Sequence, residues 1–112
     1  MDIRMNRDRD VTIAEIIGNL DTLTAIEAEA SLNRAIDEGA GKLLIDFSHL
    51  DFITSAGLRT LLGLAKRQRS EGGTLHLANM NETVREIFSI SGFDTIIESS
   101  PTVEDALGRI QA

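Results

Sequence analysis

Apolar and polar positions alternate over the first part of the chain, a pattern typical of strands. Ile3 and Met5 predict a short first strand, and the polar cluster at residues 6–10 predicts a turn. The run VTIAEII, residues 11–17, is rich in β-branched side chains and is closed by Gly18. We therefore expect these two strands to pair as a hairpin.

The pattern then changes to helical spacing. Thr24, with Glu27 three residues later, matches a capping box. Apolar or small residues follow on one helical face, at Ala25, Ala28, Leu32, Ala35, Ile36 and Gly39. Glycine is common at helix C-terminal ends, so we predict a helix from about Thr24 to Glu38 that Gly39 and Gly41 end.

A fully apolar segment and a second helix come next. KLLIDF, residues 42–47, is apolar without alternation, as in a strand that helices cover on both faces, so we predict that it lies in the middle of a sheet. The apolar positions of the second helix are Leu58, Leu61, Leu62 and Ala65. Positive charge collects towards its C-terminal end, at Lys66, Arg67 and Arg69. Gly72 ends this helix.

Two further strand and helix units complete the pattern. TLHLA, residues 74–78, predicts a strand, and Asn81 can cap a short helix that ends at Gly92. A short strand is predicted from Thr95. Thr102 marks the start of a last predicted helix. Its predicted inward positions are Val103, Ala106, Leu107 and Ile110. This order predicts an α/β fold, with a mixed, mostly parallel sheet of about five strands and about four helices.

Composition narrows the classes of function. A chain of 112 residues predicts one domain, residues 1–112. Its net charge of −7 would repel a phosphate backbone, so we expect no nucleic-acid partner. The absence of cysteine excludes disulfides and thiol catalysis, and two histidines argue against a zinc site. No apolar run approaches the roughly 20 residues that span a bilayer, and the first residues lack the apolar core of a signal peptide, so we expect a cytoplasmic protein without a membrane partner.

Glycine and polar residues occur together at two turns where predicted strands lead into helices. In α/β sheets this edge is where functional groups collect. One turn holds TSAG, residues 54–57, and the other holds GNLD, residues 18–21. Thr54 or Ser55 can be a simple helix N-cap. A phosphate cradle is not supported, since neither G-x-x-x-x-G-K nor G-x-G-x-x-G occurs, and a hydrolase G-x-S-x-G turn would need glycine where position 53 is isoleucine.

Catalytic bases and metal ligands are few near these turns. His49, predicted on the preceding loop, and His76, predicted within a strand, are better explained as structural residues. Asp21, Asp46 and Asp51 are a weak candidate for a magnesium site, because we expect Asp46 to bond to backbone amides at the end of its strand. We therefore expect neither an enzyme nor a bound metal or cofactor.

Three sequence blocks, taken in order, resemble the bacterial anti-sigma factor antagonists, the stand-alone form of the STAS domain. They are GNLD before a helix, LLIDFSHLDFITSAGLRTLLGLAKR, and NETVREIFSISGFDTIIE. The resemblance covers almost the whole chain. In that family a serine of the middle block is phosphorylated, and it matches Ser55. The aspartate of the family's G-x-L-D turn matches Asp21, and the glycine within its helix matches Gly63.

One position departs from the family's pattern. The family usually has an aspartate immediately before the phosphorylated serine, and this chain has Thr54. If that carboxylate helps to present the serine, phosphorylation here is slower, regulated differently or absent. Thr54 is itself an alternative acceptor, although Ser55 is the better match.

The resemblance implies a partner-switching mechanism. The unmodified protein binds an anti-sigma factor that is also a serine kinase with a histidine-kinase-like ATPase fold; phosphorylation breaks the complex, and a serine phosphatase restores it. The implied partner-binding residues are Asp21, Thr54, Ser55, Ala56, Gly57, Leu58, Arg59 and Gly63. A phosphate at a helix N-terminus is expected to spare the fold and disturb the docked surface. The alternative is a STAS-like scaffold, or a module that senses a nucleotide or another ligand, in which Ser55 is only a cap.

Overall fold

The computed structural model describes residues 1–111 and contains one five-stranded sheet with four α-helices. The strands are Asp2–Asp8 (β1), Val11–Leu20 (β2), Lys42–Ile53 (β3), Thr74–Ala78 (β4) and Glu98–Ser100 (β5). The helices are Thr22–Asp37 (α1), Ser55–Ser70 (α2), Glu82–Ser91 (α3) and Val103–Ile110 (α4), and a short 3₁₀ turn spans Phe93–Thr95. The predicted α/β class and element order are confirmed. None of the described helices is long and apolar enough to cross a membrane.

The strands lie in the order β1-β2-β3-β4-β5. β1 and β2 form the predicted antiparallel hairpin, and each of the other neighbouring pairs is parallel. Each parallel connection passes through a helix, because the chain must return to the same edge of the sheet before the next strand begins. β3 therefore lies at the centre, as its continuous apolar sequence predicts.

Both faces of β3 are buried in its first half, from Leu43 to Ile45. Leu43 and Ile45 belong to the main core, which α1, α2 and α3 cover. Leu44 points to the opposite face, where it joins a smaller cluster with Ala106 of α4 and Ala78 of β4. This arrangement confirms the prediction from the KLLIDF pattern, since a strand with one solvated face would alternate instead.

The strands at the start of the chain are longer than predicted. β1 continues to Asp8, and β2 continues past Gly18 to Leu20. β3 continues to Ile53 rather than ending at Phe47, because β2 remains beside it and supplies hydrogen bonds as far as Leu20. The prediction that residues 48–53 form a loop is therefore wrong.

Two other boundaries and one core position also differ from prediction. Asp21, not Thr24, is the N-cap of α1. On α2 the third core leucine is Leu64 rather than Leu62, because the helix packs with a face turned slightly from the predicted one. β5 starts at Glu98 instead of Thr95, since the chain after Gly92 first forms the 3₁₀ turn.

Candidate functional site

Two strand-to-helix turns meet at the carboxyl edge of the sheet. β2 leads into α1 at Asp21, and β3 leads into α2 at Thr54. The backbone amide of Thr54 donates to the carbonyl oxygen of Leu20 at 2.8 Å, so the two turns are directly bonded. The structure thus brings together the two segments, GNLD and TSAG, that are 33 or more residues apart in the sequence.

The start of α1 is capped by side chains of its own first turn. The Asp21 carboxylate accepts hydrogen bonds from the amides of Leu23 and Thr24, both at 3.0 Å. The Thr24 hydroxyl in turn accepts from the Asp21 amide at 2.8 Å, which completes a capping box. The hydrogen bonds from the Thr24 amide and hydroxyl lower the pKa of Asp21, because they favour its charged form.

The start of α2 is different. Thr54 occupies the N-cap position, but its hydroxyl donates to the carbonyl oxygen of Leu20 at 3.2 Å and makes no hydrogen bond to the helix. Ser55 is the first helical residue, so it is not at the cap position at all. The interpretation that one of these two residues is the N-cap is confirmed in position by Thr54, but no side-chain hydrogen bond caps α2. The first amides of α2 have no side-chain acceptor among residues 1–111.

Ser55 is exposed at this turn. Its hydroxyl makes no hydrogen bond to any residue in the described part of the chain, whereas Thr54 beside it is half-buried and bonded to Leu20. A hydroxyl that reacts in another protein's active site must be reachable and free of strong internal bonds. Of the two hydroxyls, Ser55 meets both conditions.

Two glycines of α2 have opposite surroundings. A Cβ atom on Gly57 would lie 2.8 Å from Cγ1 of Ile53 and 2.9 Å from the Leu20 carbonyl oxygen, so the first turn of α2 packs against the end of β2 only because this residue is glycine. Gly63 is exposed, and a Cβ atom there would meet nothing within 4 Å. Packing inside the chain therefore explains why residue 57 is glycine, but it does not explain why residue 63 is glycine.

The remaining predicted partner-binding residues divide between core and surface. Leu58 is buried in the main core. Arg59 is exposed, and Ala56 is half-buried beside it. Together with Thr60, these two side chains line one wall of a shallow groove of about 290 Å³ between α2 and α1. Whether any of these residues contacts a partner stays a prediction.

Exposed apolar side chains lie on α1 and at the end of β3, and the sequence patterns did not single them out. Leu23 and Ile26 on α1 are 77% and 66% exposed, and Ile26 lines the groove just described. Phe52, three residues before Ser55 at the end of β3, is also exposed. The signal was present in the sequence, since Leu23 and Ile26 interrupt the otherwise polar face of the first helix. We call Leu23, Ile26 and Phe52 the apolar rim.

His49 and Asp46, near the site, have partners within the chain. Asp46 accepts from the amide of Ser48 at 3.0 Å, which confirms the expected bond to a nearby backbone amide. His49 lies within β3, not on a loop, and its ring contacts the carboxylate of Glu15 at 2.9 Å. Among residues 1–111, no group of three or more histidine, aspartate or glutamate side chains is arranged to hold a metal ion.

Comparison with known proteins agrees with this geometry. Residues 2–106 match the family model described as the STAS domain. The chain belongs to the STAS domain family. The resemblance found in the three sequence blocks is therefore confirmed. This STAS domain is 36% identical over 106 residues to BtrV of Bordetella bronchiseptica, a candidate anti-sigma factor antagonist, and the match covers 95% of this chain and 91% of BtrV.

Further relatives span nearly the whole STAS domain. The anti-sigma-B factor antagonist of Bacillus subtilis is 29% identical over 104 residues, which cover 93% of each chain. A crystal structure of an anti-sigma factor antagonist from Mycobacterium paratuberculosis superposes with a TM-score of 0.91 at 22% identity, and covers 99% of this chain and 94% of that one. The Bacillus cell fate determinant SpoIIAA in its phosphorylated form superposes with a TM-score of 0.74 at 25% identity, over 97% of this chain and 99% of that one.

Proposed function

We propose that this STAS domain is an anti-sigma factor antagonist, a non-catalytic protein that binds an anti-sigma factor serine kinase when Ser55 is unmodified and is released when Ser55 is phosphorylated. The exposed, unbonded hydroxyl of Ser55 at the first position of α2 carries this proposal. The names of its relatives support it, since they are anti-sigma factor antagonists over nearly the same length. A serine phosphatase would return the protein to its binding state.

The position of Ser55 suits a kinase substrate. The kinase supplies the catalytic base and the ATP, so the substrate has only to present its hydroxyl in line with the transferred phosphoryl group. The end of β3 and the first turn of α2 hold the Ser55 backbone, because Gly57 packs closely on Leu20 and the Thr54 amide is bonded to the same residue. The side chain is presented from a fixed backbone.

Phosphorylation is expected to preserve the fold and to disturb the surface around it. A phosphoserine carries about −1.5 to −2 charges at neutral pH, and the uncapped amides at the start of α2 favour an anion at this end of the helix. The apolar rim lies on α1 and at the end of β3, the elements that adjoin this turn, and an anion placed near exposed apolar side chains opposes their burial against a partner. The complex with the kinase is thus lost through charge and desolvation, without unfolding.

The test combines intact-mass measurement with binding to the purified anti-sigma factor kinase. With ATP, we expect the wild-type chain and the variant Thr54→Val each to gain one phosphoryl group, and Ser55→Ala to gain none. Without ATP, Ser55→Ala should bind the kinase like the wild type, and Ser55→Asp should bind on the order of 100-fold more weakly, because a charge enters the interface.

Thermal unfolding separates loss of binding from loss of structure. Ser55→Asp should melt at or slightly above the wild-type temperature, since its carboxylate lies near the uncapped amides of α2. Phosphorylation of Ser55→Ala would move the modification to Thr54. Equal binding of Ser55→Asp and the wild type would contradict the switch and favour a scaffold or ligand-sensing module.

A further inference from the structure

A pocket of about 320 Å³ lies at the end of the sheet opposite to Ser55. It is bounded by the starts of β3 and β4, by β5, and by the C-terminal ends of α2 and α4. Ligands of parallel α/β sheets usually bind at the carboxyl edge, so neither the fold nor the sequence motifs draw attention to this one. We call it the basal pocket.

Positive side chains from three elements converge on the basal pocket. They are Lys42 of β3, Arg69 of α2 and Arg109 of α4, and the one carboxylate in the lining is that of Glu98. The chain as a whole carries a net charge of −7, so a cluster of three positive side chains is unusual on its surface. Cations from separate elements around one concave surface create a local field that attracts anions.

The two arginines are available to bind an anion. Lys42 is paired with Asp10 at 2.7 Å, but Arg69 and Arg109 make no ion pair within residues 1–111. Arg67, two residues before Arg69 on the same helix, is instead paired with Asp37 and Glu71. Cations in a last helical turn also balance the helix dipole, but that role does not require side chains of different helices to line one cavity.

The wall and floor of the basal pocket are held by buried polar groups. The Gln68 side chain is 1% exposed and donates to the carbonyl oxygens of Ala40 at 2.7 Å and Thr74 at 3.1 Å. His76 is 3% exposed and lines the pocket, with one ring nitrogen 2.7 Å from the Ser100 hydroxyl. Rigid surroundings of this kind keep a small pocket open without a ligand.

Four apolar side chains also line the pocket, and they define the other half of a ligand. Ala65, Leu75, Ile96 and Ile110 line the pocket beside the arginines. We infer that the basal pocket binds a small organic anion, in which one carboxylate or phosphate group contacts Arg69 and Arg109 and a short apolar body contacts these four side chains. Guanidinium groups suit both kinds of anion, because their planar donors can bond two oxygens at once.

The experiment is a titration of the ¹⁵N-labelled chain followed by amide chemical shifts. The probes are hexanoate and hexyl phosphate, with hexanol as the neutral control and inorganic phosphate as the control without an apolar body. We expect saturable shifts with both organic anions at the amides of Thr74, His76 and Glu98, and none at Ser55. Both controls should bind at least about fivefold more weakly, because each lacks one half of the contact.

Charge variants in opposite directions sharpen the titration. Arg69→Gln and Arg109→Gln should each weaken hexanoate binding by about fivefold or more, and Glu98→Gln should strengthen it, because the pocket becomes more positive. Arg85→Gln on the exposed face of α3 is the matched control and should change nothing.

Three results would overturn the inference. They are the absence of saturable shifts with either organic anion, equal binding of hexanol and hexanoate, and an equal effect of Arg85→Gln and Arg109→Gln. The outcome is independent of the kinase experiment, because the probes, the variants and the reporting amides all lie away from Ser55.

Discussion

The starts of α1 and α2 lie side by side at the same edge of the sheet, yet they are built differently. α1 begins with a carboxylate that accepts two backbone amides and with a threonine that completes a capping box. α2 begins with Thr54, whose hydroxyl is turned back to the carbonyl oxygen of Leu20. At the start of α1, side chains accept hydrogen bonds from the first-turn amides. At the start of α2, no side chain among residues 1–111 accepts from the first amides or bonds to the Ser55 hydroxyl.

This difference separates a stabilising turn from a regulatory one. A capped helix N-terminus has its preferred anion already in place, so an added phosphate gains little there. An uncapped N-terminus gains favourable interactions when an anion arrives. If Ser55 is the phosphoacceptor, the chain carries the modification at the helix start where it costs the fold least.

The largest expected effect comes from closing the space that joins the two helix starts. Gly57→Ala places a methyl group against Ile53 and Leu20, and should lower the free energy of unfolding by about 1–3 kcal/mol. The matched control on the same helix, Gly63→Ala, should raise it by up to about 1 kcal/mol, because its position is open and alanine favours helix. Urea unfolding of both variants measures the difference. A destabilised Gly63→Ala variant would contradict this view of α2.

A smaller effect is expected from removing the two N-cap side chains. Asp21→Ala should lower the melting temperature by several degrees, since it removes the acceptor of two first-turn amides of α1. Thr54→Ala should lower it less, because that hydroxyl makes a single bond to Leu20 and none to α2. Thermal unfolding by circular dichroism compares them directly. Equal losses would show that Thr54 contributes to the start of α2 after all.

The smallest effect concerns pH. The hydrogen bonds from Thr24 hold the pKa of Asp21 below its ordinary value of 3.8, so the native state binds this proton less readily than the unfolded state. The stabilisation is complete above about pH 5 and is lost as the pH falls through the lowered pKa. Asp21→Asn cannot titrate. The stability of the wild type relative to Asp21→Asn should therefore fall between pH 5 and acid conditions, and urea unfolding at several pH values measures it.

Much of the fold follows from the sequence because its signals are local. The hairpin, the central KLLIDF strand and the cap at Asn81 each depend on neighbouring residues, and the structure confirms all three. The wrong predictions occur where contacts between distant segments set the boundary of an element. β3 extends to Ile53 because β2 accompanies it, and no pattern within residues 48–53 reports that neighbour.

The candidate site was also predictable only where its signals are local in the sequence. The exposure of Ser55 agrees with its predicted place at a strand-to-helix turn. The bond from the Thr54 hydroxyl to Leu20 was not predictable, because it joins residues 34 positions apart. The basal pocket was not predictable either, since its cations come from three elements that only the folded sheet brings together.

The length of β3 has one more consequence. β4 pairs with β3 only as far as Asp46, so the last residues of β3, which lead to Ser55, have β2 on one side and an open backbone edge on the other. Open edges invite pairing with another chain's strand. The side-chain amide of Asn81 donates to the carbonyl oxygens of Leu50 at 3.1 Å and Asp51 at 3.3 Å, and so occupies part of this edge. The residue that caps α3 thereby also leaves fewer free carbonyl oxygens on the strand that leads to Ser55.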